Sequence, residues 1–131
     1  MRRLLTATAL LLAASAARAD FGTALDEGEK ESKEKGKLLL VYIWSPQCHV
    51  CKGLNEKVWP NIAVQNELEN WAAVKMESTE AAKSHYKWKI DDVPQLRVIS
   101  PEGSEFKTFA RGDIPEGNAE KMLDLLSSAR T

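Results

Sequence analysis

Seven consecutive apolar or aromatic residues, Leu38-Leu39-Leu40-Val41-Tyr42-Ile43-Trp44, run into a turn and a closely spaced cysteine pair, Ser45-Pro46-Gln47-Cys48-His49-Val50-Cys51. An unbroken run of this length, partly β-branched and partly aromatic, predicts a strand buried on both faces. The cysteines therefore stand where a buried strand gives way to a helix, over residues 48–57, that contains Leu54 and good helix formers. Trp59-Pro60 breaks that helix, because proline lacks an N–H and restricts the residue before it. Asn61 can cap a second short helix carrying Ile62, Val64 and Leu68.

The flanking sequence completes a layered arrangement. Residues 20–35 predict a helix with Phe21, Ala24 and Leu25 on one face, a solvated Glu/Lys run behind them, and Gly36 at the C-terminal glycine position. A second strand over 72–76, a short helix over 80–87, and alternating residues at 95–100 follow. Pro101-Glu102-Gly103-Ser104 is a turn signal, residues 105–110 return as the partner strand, and 118–128 form an amphipathic closing helix. The order α, β, α, β, α, β, β, α describes one α/β domain with a hairpin near its end. A length of 131 residues fits a single domain, and 44% hydrophobic content with a net charge of −1 argues against wholesale disorder. Eighteen basic against nineteen acidic residues leave no electrostatic footprint for nucleic acid.

The N-terminus reads as an export signal over residues 1–19. Met1-Arg2-Arg3 is basic, Leu4 to Ala17 is apolar, and Ala17-Arg18-Ala19 supplies a small-x-small cleavage pattern. The apolar run falls short of the roughly 20 residues a membrane-spanning helix needs. Cleavage after Ala19 removes three arginines and no acid, taking the net charge from −1 to −4. The mature chain, residues 20–131, is expected in an oxidising compartment, periplasmic or otherwise secreted.

Several chemistries compete for Cys48 and Cys51. A c-type haem site needs histidine directly after the second cysteine, and Lys52 stands there. A structural zinc site needs four ligands, and only His49, between the cysteines, and His85 could join them. A purely structural disulfide would close a very short loop, worth only about 2 kcal/mol on the loop-entropy model. A redox dithiol fits best. Cys48 at a helix start would have its thiolate stabilised by free N–H groups and the helix dipole. Cys51, one turn deeper on the same side, can reach it. Cys48 is thus the expected nucleophile and Cys51 the resolving thiol. A protonated His49 would favour the thiolate further; the alternative is a solvent-exposed spacer. Soft thiolates with His49 could instead hold Cu(I), the alternative of a copper chaperone or adaptor without turnover.

Trp44-Ser45-Pro46-Gln47-Cys48-His49-Val50-Cys51-Lys52 resembles the active-site segment of the thioredoxin superfamily, and Asp92-Val93-Pro94-Gln95-Leu96 resembles its cis-proline loop. Gly103 and Gly112 match two further glycine positions. The broken helix with Asn61 and Val64 is most similar to the periplasmic branch that includes the C-terminal domain of the transmembrane disulfide reductase. The resemblance covers residues 21 to 128. It implies a thioredoxin fold, with a central mixed four-stranded sheet flanked by helices. It also implies a disulfide between Cys48 and Cys51, a cis Pro94 against it, Val93 offering its backbone to a substrate strand, and Trp44 packed near Cys48. With His49, these residues form the expected substrate-binding surface. The implied activity is thiol–disulfide exchange with proteins bearing cysteine pairs, by a monomer without metal or dissociable cofactor. Reduction is the favoured direction, with a membrane disulfide reductase as electron donor.

Three positions depart from the family. Thioredoxins carry a buried aspartate six residues before the first cysteine, where this chain has Tyr42, and Lys75 matches the lysine that usually partners it. Gln47 replaces a tryptophan beside the first cysteine. The His-Val dipeptide matches neither the Gly-Pro of cytosolic thioredoxins nor the Pro-His of the strong periplasmic oxidant. Trp59, Trp71 and Trp88 are expected to pack, His85 to lie on the surface, and Asp91-Asp92 either to repel acidic substrates or merely to solvate the loop.

Overall fold

Strand β1 (Leu38–Trp44) is buried from Leu39 through Ile43, as a strand covered on both faces must be. The computed structural model describes residues 21–131, so the predicted signal peptide and the first residue of the predicted domain lie outside the described residues. β1 pairs in parallel with β2 (Trp71–Glu77) and antiparallel with β3 (Gln95–Ile99). β3 in turn carries the antiparallel edge strand β4 (Glu105–Phe109), giving the order β2-β1-β3-β4. This is the mixed four-stranded sheet expected.

Helices cover both faces. α1 (Leu25–Lys35) and α4 (Ser78–Ala82) lie over the face formed by Leu39, Val41, Ile43 and Val74. α2 (His49–Gly53), α3 (Ile62–Leu68) and α5 (Ala119–Arg130) lie over the face formed by Leu40, Tyr42, Leu96 and Val98. α2 does not end at Gly53: it runs into a π-helical turn, Leu54–Val58, closed by the Trp59 N–H on the Leu54 carbonyl at 2.9 Å. The break at Pro60 follows. Asn61 caps α3, its Oδ1 accepting from the Ala63 and Val64 N–H groups at 3.0 and 3.2 Å.

The predicted first helix begins five residues late. Gly22 instead joins the outer edge of β2, its N–H donating to the Ala73 carbonyl and its carbonyl accepting from the Lys75 N–H, both at 2.9 Å. These sheet bonds outweigh the local helix preference, and they send Phe21 across to Trp59, 4.8 Å edge-to-face, away from Leu25. Within α1, Gly28 allows close approach to the sheet: a Cβ there would collide with the Val74 side chain and lie 3.1 Å from Leu39 Cδ1. Gly36 takes the left-handed cap conformation, φ 65°.

The helix predicted over 80–87 is the shorter α4. Beyond it the chain is irregular, and Tyr86 and Trp88 stack with ring centroids 4.6 Å apart, Trp88 being buried in the core. Burial of that aromatic pair wins over helix continuation. At the far end α5 extends to Arg130, whose guanidinium grips the buried Glu67 of α3 at 2.7 and 2.8 Å. Burial alone would raise the Glu67 carboxyl. Arg130 and Asn70 outweigh it and hold the group below the ordinary carboxylate range. The remaining strand ends agree with expectation to within one or two residues.

Candidate active site

Where β1 ends, Ser45 and Gln47 form a tight turn, and the Cys48 N–H donates to the Ser45 carbonyl at 3.1 Å. That turn delivers Cys48 to the N-cap of α2 in an extended conformation, φ −84° and ψ 115°. The consequence is electronic as well as geometric. The Cys51 N–H donates to Cys48 Sγ at 3.1 Å, so the sulfur occupies the position where a helix start solvates an anion. The two sulfurs are paired as a disulfide, with Cα atoms 5.2 Å apart. Cys48 is half-buried and Cys51 has no exposed surface. Such asymmetry is what separates an attacking thiol from a resolving one.

The opposite wall comes from the segment before β3. Val93–Pro94 is a cis peptide, Pro94 is buried, and the Val93 carbonyl oxygen lies 3.6 Å from Cys48 Sγ. Forty-five residues of sequence separation are thus closed by the β1–β3 pairing. The Val93 N–H is not free: it donates to the carboxylate of Asp92 at 2.9 Å, and Arg111 lies 3.5 Å from that same oxygen. The Val93 carbonyl thus faces Cys48, whereas its N–H is taken up by Asp92. Asp92 is thereby a structural element of the loop, a role its exposed, charged character did not disclose.

On the other side of Cys48 lies a cavity of about 240 Å³ bounded by Trp44, Ser45, Pro46, Lys52, Asn55 and Glu56. Trp44, expected near Cys48, shares this cavity with it. His49 is exposed, and its side chain makes no hydrogen bond or ion pair among the described residues, a spacer-like placement. Trp59, Trp71 and Trp88 are buried, and His85 is exposed beside Glu29, as expected.

The position of the family aspartate has been rebuilt in apolar terms. Tyr42 is fully buried against Phe21 and Trp59, with centroids 5.6 and 5.1 Å away. Burial pushes its phenol up to about 12; the nearby Trp59 indole opposes this in part without forming a well-made hydrogen bond to the hydroxyl. Lys75 has found another partner: its Nζ sits 4.4 Å over the Trp44 ring, and burial draws its ammonium below the ordinary lysine range. No carboxylate stands in the aspartate's place. The described residues also contain no cluster of three or more His, Cys, Asp or Glu side chains able to hold a metal ion.

Residues 25–127 match the family described as thioredoxin-like domain. No curated protein sequence matches the chain. Among solved structures, the chain is similar to a disulphide isomerase from Xylella fastidiosa Temecula1, with TM-score 0.68 and 15% identity over 81% of this chain and 88% of that one. It is also similar to the oxidised DsbD C-terminal domain of Neisseria meningitidis, with TM-score 0.64 and 14% identity over 85% and 100%. A thioredoxin from Thermus thermophilus has TM-score 0.58 and 19% identity over 82% and 84%.

Proposed function

Since this chain belongs to the thioredoxin-like domain family, we propose that it is a protein thiol–disulfide oxidoreductase working through Cys48 and Cys51. The observation carrying this reading is the placement of Cys48 Sγ, capped by the Cys51 N–H at 3.1 Å and faced by the Val93 carbonyl at 3.6 Å. In the reduced protein, the Cys48 thiolate attacks one sulfur of a partner disulfide. That S–S bond breaks, one partner thiolate leaves and takes up a proton, and a mixed disulfide remains. Cys51 then gives its proton to solvent and attacks Cys48 Sγ. The second partner sulfur leaves as a thiolate and takes up a proton from solvent, and the Cys48–Cys51 disulfide forms: two electrons have passed from the protein to the partner, whose two protons come through solvent. With Tyr42 where the family has an aspartate, a water or a different carboxylate must accept the Cys51 proton, or Cys51 reacts slowly. Trp44, Val93 and Pro94 contact the partner chain, and exposed His49 borders the same surface.

The favoured direction is reduction. Residues 1–19 direct the chain to an oxidising compartment, where thiols are already oxidised and a reductant fed by a membrane disulfide reductase has a purpose. No described helix is long and apolar enough to cross a membrane. The similar structures include a disulphide isomerase and a DsbD C-terminal domain solved in both reduced and oxidised forms. Equilibration of the Cys48/Cys51 couple with glutathione decides the matter. A potential near about −270 mV, in the thioredoxin range, is expected; one near about −120 mV would make the protein an oxidant.

A further inference from the structure

We propose that Gln95, braced by Arg97 and Glu105, is the positioning residue that sets the partner-docking loop against Cys48; this rests on the reading above, that Val93–Pro94 docks the partner chain. Gln95 is a buried polar side chain, 8% exposed, at the first position of β3. Its Nε2 donates to the Asp92 carbonyl at 2.9 Å, reaching back across Val93 and Pro94 to close the loop on itself. Its Oε1 accepts twice from Arg97, from Nε at 3.2 Å and from Nη2 at 2.9 Å. A guanidinium only donates, so this double contact fixes which end of the amide faces Arg97 and leaves the amide N–H aimed at Asp92. The loop bond is thus a consequence of the arginine clamp.

Arg97 is itself held. Its Nη1 donates to Glu105 Oε1 at 2.8 Å, and its guanidinium lies 5.2 Å over the Trp88 ring. Glu105 also accepts from Trp88 Nε1 and Thr108 Oγ1, each at 2.9 Å. A continuous set of hydrogen bonds, charge-assisted as far as Gln95 and neutral from there to the Asp92 carbonyl, therefore runs from the exposed edge strand β4 to the backbone of the loop. That set ends at the Asp92 carbonyl, and the carbonyl of the next residue, Val93, lies 3.6 Å from Cys48 Sγ.

Gln95→Glu separates positioning from folding. The carboxylate keeps both acceptor contacts to Arg97 but has no N–H for the Asp92 carbonyl, which it repels. The expected result for insulin reduction is a KM raised about fivefold, the order of one lost hydrogen bond, with kcat unchanged and a melting temperature that falls less than in Gln95→Ala, which loses the Arg97 contacts as well. Reduction of dithiobis-nitrobenzoate, too small to need strand docking, should proceed at the wild-type rate. Gln95→Ala should raise the insulin KM similarly and also lower the melting temperature. An unchanged insulin KM in Gln95→Glu, or equal losses on both substrates, would overturn the inference while leaving the oxidoreductase reading intact. Wild-type protein that reduces neither substrate would overturn both.

Discussion

Cys48→Ser abolishes insulin reduction, while Cys51→Ser leaves a protein that reacts once and stops as a stable mixed disulfide. The two outcomes differ because the helix start treats the sulfurs differently. Cys48 is half-buried, caps α2 and receives the Cys51 N–H at 3.1 Å, whereas Cys51 has no exposed surface. A serine hydroxyl at Cys48 offers no anion near neutral pH and cannot open a disulfide. Without Cys51, attack proceeds but nothing displaces the partner. Mass spectrometry of each variant after mixing with an excess of glutathione disulfide checks this: one glutathione adduct on Cys51→Ser and none on Cys48→Ser. Adduct formation on Cys48→Ser would reverse the assigned roles. Full turnover in either variant, or stoichiometric copper in untagged protein with no turnover in wild type, would replace the exchange mechanism altogether.

Restoring the family aspartate by Tyr42→Asp unfolds the domain rather than improving it. The substitution removes the ring packed on Phe21 and Trp59 at 5.6 and 5.1 Å and leaves a carboxylate in a site with no exposed surface. Lys75, the cation that could pair with it, is drawn to the Trp44 ring at 4.4 Å. Cavity and desolvation costs together come to about 4 kcal/mol or more, a large part of the stability of a domain this size. Tyr42→Phe should behave oppositely. The buried hydroxyl has no hydrogen-bond partner, so its loss leaves the melting temperature level or slightly raised. Thermal melts by circular dichroism read both. A wild-type melt for Tyr42→Asp, or a drop of several degrees for Tyr42→Phe, would contradict the apolar account of this site. Unchanged turnover in Tyr42→Phe is also expected, because the hydroxyl relays no proton.

The parts of this site legible in the sequence are those set by local chemistry. An apolar run marked β1, Cys-x-x-Cys at its end marked the reactive pair, and Val93-Pro94 before an alternating strand marked the facing loop. Each signal depends on a few adjacent residues. The features that were not legible depend on contacts between segments far apart in the chain. Phe21-Gly22 looked helical and joined β2 because an open sheet edge offered two hydrogen bonds. Lys75 looked stranded without its aspartate, yet the β1–β2 register that sets Tyr42 opposite it also brings it over Trp44. Gln95 read as an ordinary strand residue; a polar side chain directly after the proline of that loop was the available clue. The π turn at Leu54–Val58 left no mark in composition, and Gly53 before it keeps a helical conformation, φ −61° and ψ −42°.

The claim beneath all of this is that the fold makes Cys48 an ionised nucleophile by placing its sulfur against the Cys51 N–H. The direct test is the pH dependence of Cys48 alkylation by iodoacetamide in the fully reduced protein, followed by peptide mass spectrometry. The account predicts a half-maximal rate well below the roughly 8.5 of free cysteine, with Cys51 reacting slowly throughout. A Cys48 profile at or above the free-cysteine value would contradict it.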